Sequence, residues 1–301
     1  MSMTLAQFWA QYKPEQLGVA KVVGSYAVGL SVLPVKQTLD LVFSFGKETS
    51  LGDVSARVIN QPFDDTRPST ISPQTEAMVI LGKKVLTDHL LADGHADARP
   101  NEQSRATRAV ATRADDLLFN GDGSAAYHQF NGYRARCVDA QLIAAGVNGA
   151  QLTLAMFEDT VDQVVDQGNG RHAFMSRAAY RALKRLILSK AGGSAVMDVV
   201  GEVQKYEDIT LHVTGKKLDG TPLLNFNETQ GSSAVASSLY VMAPGGDDVE
   251  LSGIKLLQAT NGISVIEEGI KDSMYTDAIT FAFGIGVFDD SAIARLCGIL
   301  K

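Results

Sequence analysis

The chain reads as an α+β fold on three observations: helical periodicity dominates its middle, short alternating strands fill its end, and neither pattern recurs as an internal repeat. Its 301 residues are 45% hydrophobic, enough for one large core or two modest ones, and too apolar for a disordered chain.

At the start, Leu5, Phe8, Trp9 and Tyr12 recur at helical spacing and give a short helix one aromatic stripe. Nothing nearby in sequence buries that stripe, so it packs on its own domain or docks on a neighbouring chain as an arm. Pro14 ends the helix. Residues 22–35 carry no charge, yet they are too few to span a membrane, and Gly24, Gly29 and Pro34 favour extended structure over a helix.

Over residues 38–46, Leu39, Leu41, Phe43 and Phe45 alternate with polar positions, Val42 being the departure, which predicts a half-buried strand. Residues 53–60 alternate more weakly through Val54, Ala56 and Val58. Residues 61–73 hold Pro62, Pro68 and Pro73 with Asp64, Asp65 and Arg67, the composition of a loop tip. An apolar strand resumes over 76–86. Two strands around a polar tip make a long projecting hairpin, marginal in water without support from another chain.

Pro100-Asn101-Glu102 opens a helix with Ala106, Val110, Ala114 and Leu117 on its inner face and Arg105, Arg108, Thr112 and Asp115 on another. The small inner residues imply close approach to a sheet. The helix should stop at Asn120-Gly121-Asp122-Gly123, where Asn and Gly tolerate positive φ. Thr153 caps a second helix, with Leu154, Phe157, Val161, Val164 and Val165 inward and Gly168 closing it. A third begins at Ser176, burying Ala179, Tyr180, Leu183, Leu186 and Ile187 and exposing Arg177, Arg181, Lys184 and Arg185. Residues 209–214, 238–242, 263–267 and 280–288 read as strands.

Composition and motifs exclude more than they assign. A net charge of −7 and a pI near 5.3 argue against a protein whose main work is neutralising phosphates. Cys137 and Cys297 form no C-x-x-C pair and no disulfide framework. Asp88, His89, Asp93, His95 and Asp97 are metal-ligand types, but the six-residue separation of the histidines fits neither a helical zinc pair nor one strand face, so a solvated loop is the stronger reading. Gly46-Lys47-Glu48-Thr49 has Leu41 and Glu48 where a phosphate loop needs Gly and Ser or Thr. Gly284-Ile285-Gly286 lacks the third glycine of a dinucleotide turn, and no G-x-S-x-G elbow exists. Cys137 with His128 or His172 would suit a thiol enzyme, though a buried apolar role is the commoner fate of such a cysteine. Asn227-Glu228-Thr229 matches a glycosylation triplet that matters only on secretion, and residues 1–12 do not read as a secretory signal. The basic helix face of Arg177, Arg181, Lys184 and Arg185 reads first as solvated surface and second as a nucleic-acid contact.

The wording of the helix exit carries the functional reading. Ala114-Asp115-Asp116-Leu117-Leu118-Phe119-Asn120-Gly121-Asp122-Gly123-Ser124, followed by Phe130-Asn131-Gly132-Tyr133, resembles the exit of the spine helix in tailed-phage major capsid proteins of the Hong Kong 97 fold. Ala173-Phe174-Met175-Ser176-Arg177-Ala178-Ala179-Tyr180 and Ser238-Leu239-Tyr240-Val241-Met242 are similar to segments of that family's axial domain, and the stretch from Phe281 to Ile293 looks like its ending. Two departures are Phe and Ala in place of the usual basic residues along the last peripheral strand, and Ser291 at the position of the family's Pro.

The resemblance implies an N-terminal arm (1–37), an extended hairpin loop (38–80), a peripheral domain (81–150) with the spine helix at about 101–119, an axial domain (151–262), a return to the peripheral domain (263–290) and a C-terminal strand (291–301). It implies a major capsid protein, without catalytic residue, cofactor or metal, made in a host cytoplasm and built into a virion. Its partners would be itself, as hexamers and pentamers, and double-stranded DNA held without sequence specificity, with portal, scaffold and decoration proteins and no membrane. Leu5, Phe8, Trp9 and Tyr12 of the arm, and Asp64, Asp65 and Arg67 of the hairpin tip, become the expected subunit interface. Encapsulin shells share the architecture and are the nearest rival; a metal-dependent hydrolase centred on His89 and His95 is the alternative of a different class.

Overall fold

The computed structural model describes residues 22–23, 25–50, 54, 56–62, 70–124, 129–189, 195–197, 203–246 and 252–301. The uncharged segment near its start is helical where extended structure was expected. Helix α1 (Val28–Val32) follows a turn in which Ala27 N–H donates to Val23 O at 2.8 Å, and Val23, Ala27 and Leu30 are buried at helical spacing. Gly29 gives the reason: a Cβ there would lie 2.5 Å from Leu118 Cδ2, so its bare backbone lets α1 lie directly on a later helix. Tertiary contact outweighs the low helix propensity of the glycine, and Pro34 falls just beyond the helix end.

The strand expected over 38–46 divides in two. Strand β1 (Val35–Thr38) precedes a bend in which Leu39 is 89% exposed, and β2 (Val42–Ser50) follows it. β2 pairs antiparallel with β3 (Thr70–Ala77), from Val42 opposite Ala77 to Ser50 opposite Thr70, so a hairpin forms but its return strand is 70–77; most of the expected return strand 76–86 pairs elsewhere, with residues 276–283. Pro73 sits inside β3 opposite Gly46, not in a tip, which is allowed because the ribbon has only two strands and both are edges. Residues 54 and 56–60 form no strand, and Val54 and Val58 point outward.

Strand β4 (Val79–Asp88) leads through α2 (His89–Gly94) into α3 (Ala98–Asn120), whose Ala106, Val110, Ala114 and Leu117 are buried as their spacing predicts. Asp115 does not join Arg105 and Arg108 outside: it lies in line with Ala111 and Leu118 and is buried. The exit turn also departs from expectation. Gly121 has φ −56°, and its glycine is required by close approach, since a Cβ would lie 2.5 Å from Phe130 O and 2.6 Å from Leu117 O. Only Gly123 in that turn takes the left-handed conformation, at φ +70°.

After α4 (Tyr133–Arg136) come β5 (Leu142–Ala144), β6 (Ala150–Gln151), α5 (Leu154–Asp162), β7 (Arg171–Met175) and α6 (Arg177–Ser189). The remainder is β8 (Ala195–Met197), β9 (Val203–Tyr206), β10 (Ile209–Val213), β11 (Glu228–Gln230), β12 (Ser233–Met242), β13 (Ile254–Lys271), β14 (Met274–Val287) and β15 (Ile293–Leu300). Thr153 caps α5 by accepting from Met156 N–H at 3.3 Å, and Ser176 caps α6 from Ala179 N–H at 3.2 Å. Val165, expected inside, is exposed because α5 stops at Asp162 and the helical phase no longer carries it inward.

Two sheets carry the body. One has the order β1-β13-β14-β4 and packs under α3; the other runs β5-β15-β12-β7-β10-β9-β8, with β6 and β11 paired at its side. Alternation along β12 separates two cores: Tyr240 and Met242 join Phe119, Tyr133, Phe174, Phe281 and Phe283 on the α3 side, while Leu239 and Val241 join Phe157, Leu183 and Ile187 beneath α5 and α6. The last strand, β15, lies inside the larger sheet between β5 and β12.

Candidate assembly surfaces

Among the described residues, the β2–β3 hairpin is anchored where it leaves the body. Phe45 meets Phe288 at 4.7 Å between ring centroids and Phe43 meets it at 6.2 Å, edge-on in both cases. Arg136 of α4 grips Glu76 through two hydrogen bonds of 2.6 Å, and Lys47 pairs with Asp290. Farther along, Ile71 and Ile59 are 63% and 86% exposed. A single chain thus leaves apolar side chains in water on an element that has no core of its own.

The other long projection is the distal half of β13 and β14, flanked by β4. There Arg99 of α3 donates to Asp277 Oδ2 through Nε at 2.9 Å, and Gln103 donates to the same oxygen at 2.9 Å. The Arg99 hydrogen bond holds the Asp277 carboxyl below the usual carboxylate range. Ile266 lies exposed beside this clamp, and Ile270, Leu86 and Leu90 beyond it.

Inside the body, Asp115 Oδ1 accepts the Gly29 N–H at 2.9 Å and so ties α1 to α3. Burial pushes this carboxyl up to about 7, against the lowering effect of the Gly29 amide and with a further raising by Asp116. Asp116 is itself held by Arg113 at 2.6 Å and Lys217 at 3.3 Å. In the larger sheet, Arg295 of β15 reaches Glu228 Oε2 at 2.7 Å and Ser238 Oγ at 2.9 Å, which fixes β11 and β15 on either side of β12.

The sequence candidates separate clearly. Leu5, Phe8, Trp9, Tyr12, Asp64, Asp65, Arg67 and His128 lie outside the described residues. Of the proposed ligand group, His89 Nδ1 is 2.8 Å from Ser273 O, Asp88 caps α2 by accepting from Leu90 N–H, and Asp93 accepts from the Tyr275 hydroxyl at 3.4 Å. Among the described residues no three His, Cys, Asp or Glu side chains are placed to hold one metal ion. Cys137 is buried and its thiol is pushed up to about 12 by burial, while His172 pairs with His212 at 2.9 Å; neither has the environment of an activated thiolate pair. Lys47 lies in β2, and Gly284 and Gly286 lie in β14. Glu228 of the glycosylation triplet is buried in its pair with Arg295. Sequence reasoning missed Arg136 and Glu76, whose pairing spans 60 residues, and misplaced Asp115. The signal for Asp115 was present: it interrupts the buried line Ala111, Leu118.

Paired sheets, a long helix across one of them and a base-anchored hairpin recur together in solved structures of shell proteins. The capsid of a native GTA particle superposes with a TM-score of 0.66 at 13% identity, covering 90% of this chain and 89% of that one. The SrpI encapsulin of Synechococcus elongatus PCC 7942 gives 0.63 at 16% identity over 89% of this chain and 85% of its own. The capsid of Ralstonia phage GP4 gives 0.61 at 12% identity over 90% and 88%. The fold is therefore the Hong Kong 97 capsid fold, shared by phage capsids and encapsulins. No known family's sequence model matches the chain, nor does any curated protein sequence.

Proposed function

We propose that this chain is the major capsid protein of a tailed double-stranded DNA phage, assembling through hexamers and pentamers into an icosahedral shell. The observation that carries the reading is the β2–β3 hairpin: an edge-only ribbon, fixed at one end and exposing Ile71, is stabilised when it lies over a neighbouring subunit. On this reading the subunit acts by geometry and not by catalysis. The segment before α1 serves as the arm, because α1 and β1, within the expected 1–37, pack in the body; β2 and β3 are the hairpin loop, α3 with the β1-β13-β14-β4 sheet the peripheral domain, and the larger sheet with α5 and α6 the axial domain, in which β15 is the final strand. DNA is held inside without sequence preference, and portal, scaffold and decoration proteins are the accessory partners. Imaging of the purified full chain by negative stain should show closed shells; a small soluble oligomer at every concentration would overturn the proposal.

Two interface assignments follow from it. Leu5, Phe8, Trp9 and Tyr12 dock on a neighbour, each such side chain contributing about 1.5–3 kcal/mol when buried. Trp9 is the only tryptophan, so its emission should shift to the blue on assembly, and an emission already blue in free subunits would return the stripe to its own domain. Asp64, Asp65 and Arg67 contact a neighbour at the hairpin tip. Replacing all three with Ser should leave the subunit folded but impair shell formation, and normal shells from that variant would remove the tip from the interface. The encapsulin likeness supplies the second reading. Shells that enclose protein cargo and no DNA would favour it.

A further inference from the structure

We propose that a basic track running from α3 to α6 receives the phosphate backbone of double-stranded DNA, an inference that rests on the reading of this chain as the wall of a DNA-filled shell. Three concavities form the track. The first lies between α3, Tyr26 and the loop at 215–220; the second shares Gly215 and Lys216 with it, and the third shares Ala178, Arg181, Phe226 and Lys301 with the second. No Asp or Glu lines any of the three, although the chain carries a net charge of −7. The track concentrates positive charge that the rest of the surface outweighs.

Eight basic side chains line it: Arg105 and Lys217 are paired with Glu102 and Asp116, while Arg108, Lys216, Arg177, Arg181, Arg185 and Lys301 make no ion pair among the described residues. Arg108 lies over the Tyr26 ring at 4.7 Å, a contact that uses the guanidinium face and leaves its N–H edge free to donate. Arg177, Arg181 and Arg185 stand at i, i+4 and i+8 on α6, a straight row about 12 Å long. A small anion needs donors converging on one point, whereas these are spread out in a line and then continue onto a second helix. That spacing fits a polymer with repeating charge, and duplex DNA presents one charge per about 1.7 Å of axis. The sequence placed Arg177, Arg181 and Arg185 on an exposed helix face; the fold adds Arg108, Lys216 and Lys301 from distant segments.

The test uses unassembled full-length subunits and a fluorescein-labelled 30-base-pair duplex, followed by anisotropy between 50 and 200 mM NaCl. With about six phosphate contacts, wild-type affinity should fall by about 10³-fold across that range. Arg177→Gln, Arg181→Gln and Arg185→Gln together should lower the magnitude of the salt slope by about 3, and the corresponding three Arg→Lys changes should preserve it. Lys216→Gln with Lys301→Gln, on other elements, should lower it by about 2, which keeps the test decisive if the triple variant misfolds. Slopes unchanged in both Gln variants, or no wild-type binding at 50 mM NaCl, would overturn the track. A poly-glutamate peptide of matched charge that binds more tightly than the duplex would overturn it in favour of an acidic protein partner. Shell formation is imaged on the same preparations: subunits that bind DNA in this way but never close shells would overturn the proposed function alone, whereas shells formed without duplex binding would overturn the track alone.

Discussion

The end of α3 and the β2–β3 hairpin are stabilised in opposite ways. Around Phe119 the rings of Tyr133, Phe174 and Tyr240 lie at 5.4, 5.5 and 5.6 Å, and all four side chains are fully buried. One chain supplies every contact there, so one chain suffices to hold it. The hairpin has Phe43, Phe45, Glu76 and Lys47 at its base and exposed side chains beyond them. Its two strands pair with each other, but each keeps an unpaired edge and the side-chain burial is partial. The difference teaches what one chain stabilises by itself: the body meets its own requirements, and the ribbon leaves apolar surface in water.

The strongest way to break the comparison is at its packed end. Phe119→Ala should cost about 3–5 kcal/mol, because it opens a cavity among rings that cannot close around it. Thermal unfolding should show one cooperative transition shifted downward. A loss under 1 kcal/mol would mean that the aromatic cluster is loosely packed and the contrast with the hairpin is overstated.

Second in size is the pH dependence of the tie between α1 and α3. Asp115 has its folded value raised from 3.8 to about 7, so the folded state holds the proton more tightly than the unfolded state does. Stability from this group is therefore present in acid and is lost as pH rises from 3.8 through about 7. Between pH 5 and pH 7 that loss amounts to about 2 kcal/mol. Asp115→Asn keeps an oxygen for the Gly29 amide and removes the titration, so the wild type should lose ground to it across that interval in urea unfolding. Parallel curves for the two proteins would exclude the carboxyl as the source.

A third, more local effect belongs to the hairpin base. Arg136→Met leaves the half-buried Glu76 carboxylate without its bidentate partner and should cost about 1–3 kcal/mol. The cost should appear as faster amide exchange along β2 and β3, with the slowest amides of β12 and β14 unchanged. Equal acceleration in both places would show that the hairpin unfolds only with the body.

Legibility in the sequence followed the range of the interaction. The apolar faces of α3, α5 and α6 and the Thr153 and Ser176 caps are set by residues within a few positions of one another, and local pattern revealed them, whereas the hairpin joins residues 20 to 35 apart and its return strand was placed too late. Gly29 was misread because its use depends on Leu118, and Asp115 because its partner is the Gly29 amide. The same holds for Arg136 with Glu76: no local pattern marks a pair that meets only after the sheets form. Of the candidate surfaces, the projecting ribbon was visible as two strands around a polar tip. The basic track was visible only in its α6 half, because Arg108, Lys216 and Lys301 come to it from separate elements.

The smallest expected effect on the subunit is the sharpest probe of the comparison. Ile71 is 63% exposed on β3, so Ile71→Ser removes little buried surface from the free chain and should change its stability by no more than about 0.5 kcal/mol. If the hairpin lies over a neighbour, the same change removes apolar contact at every copy of the interface. Its effect on the concentration needed for shells should then far exceed its effect on unfolding. The ratio of the two effects is the informative quantity, since a fold defect moves both and an interface defect moves only one. Light scattering against subunit concentration, paired with urea unfolding of dilute subunits, measures them on one preparation. A variant that assembles at the wild-type concentration would place Ile71 outside any contact and leave the exposed residues nearer the tip, Val58 and Ile59, as the part of the hairpin that meets the neighbour.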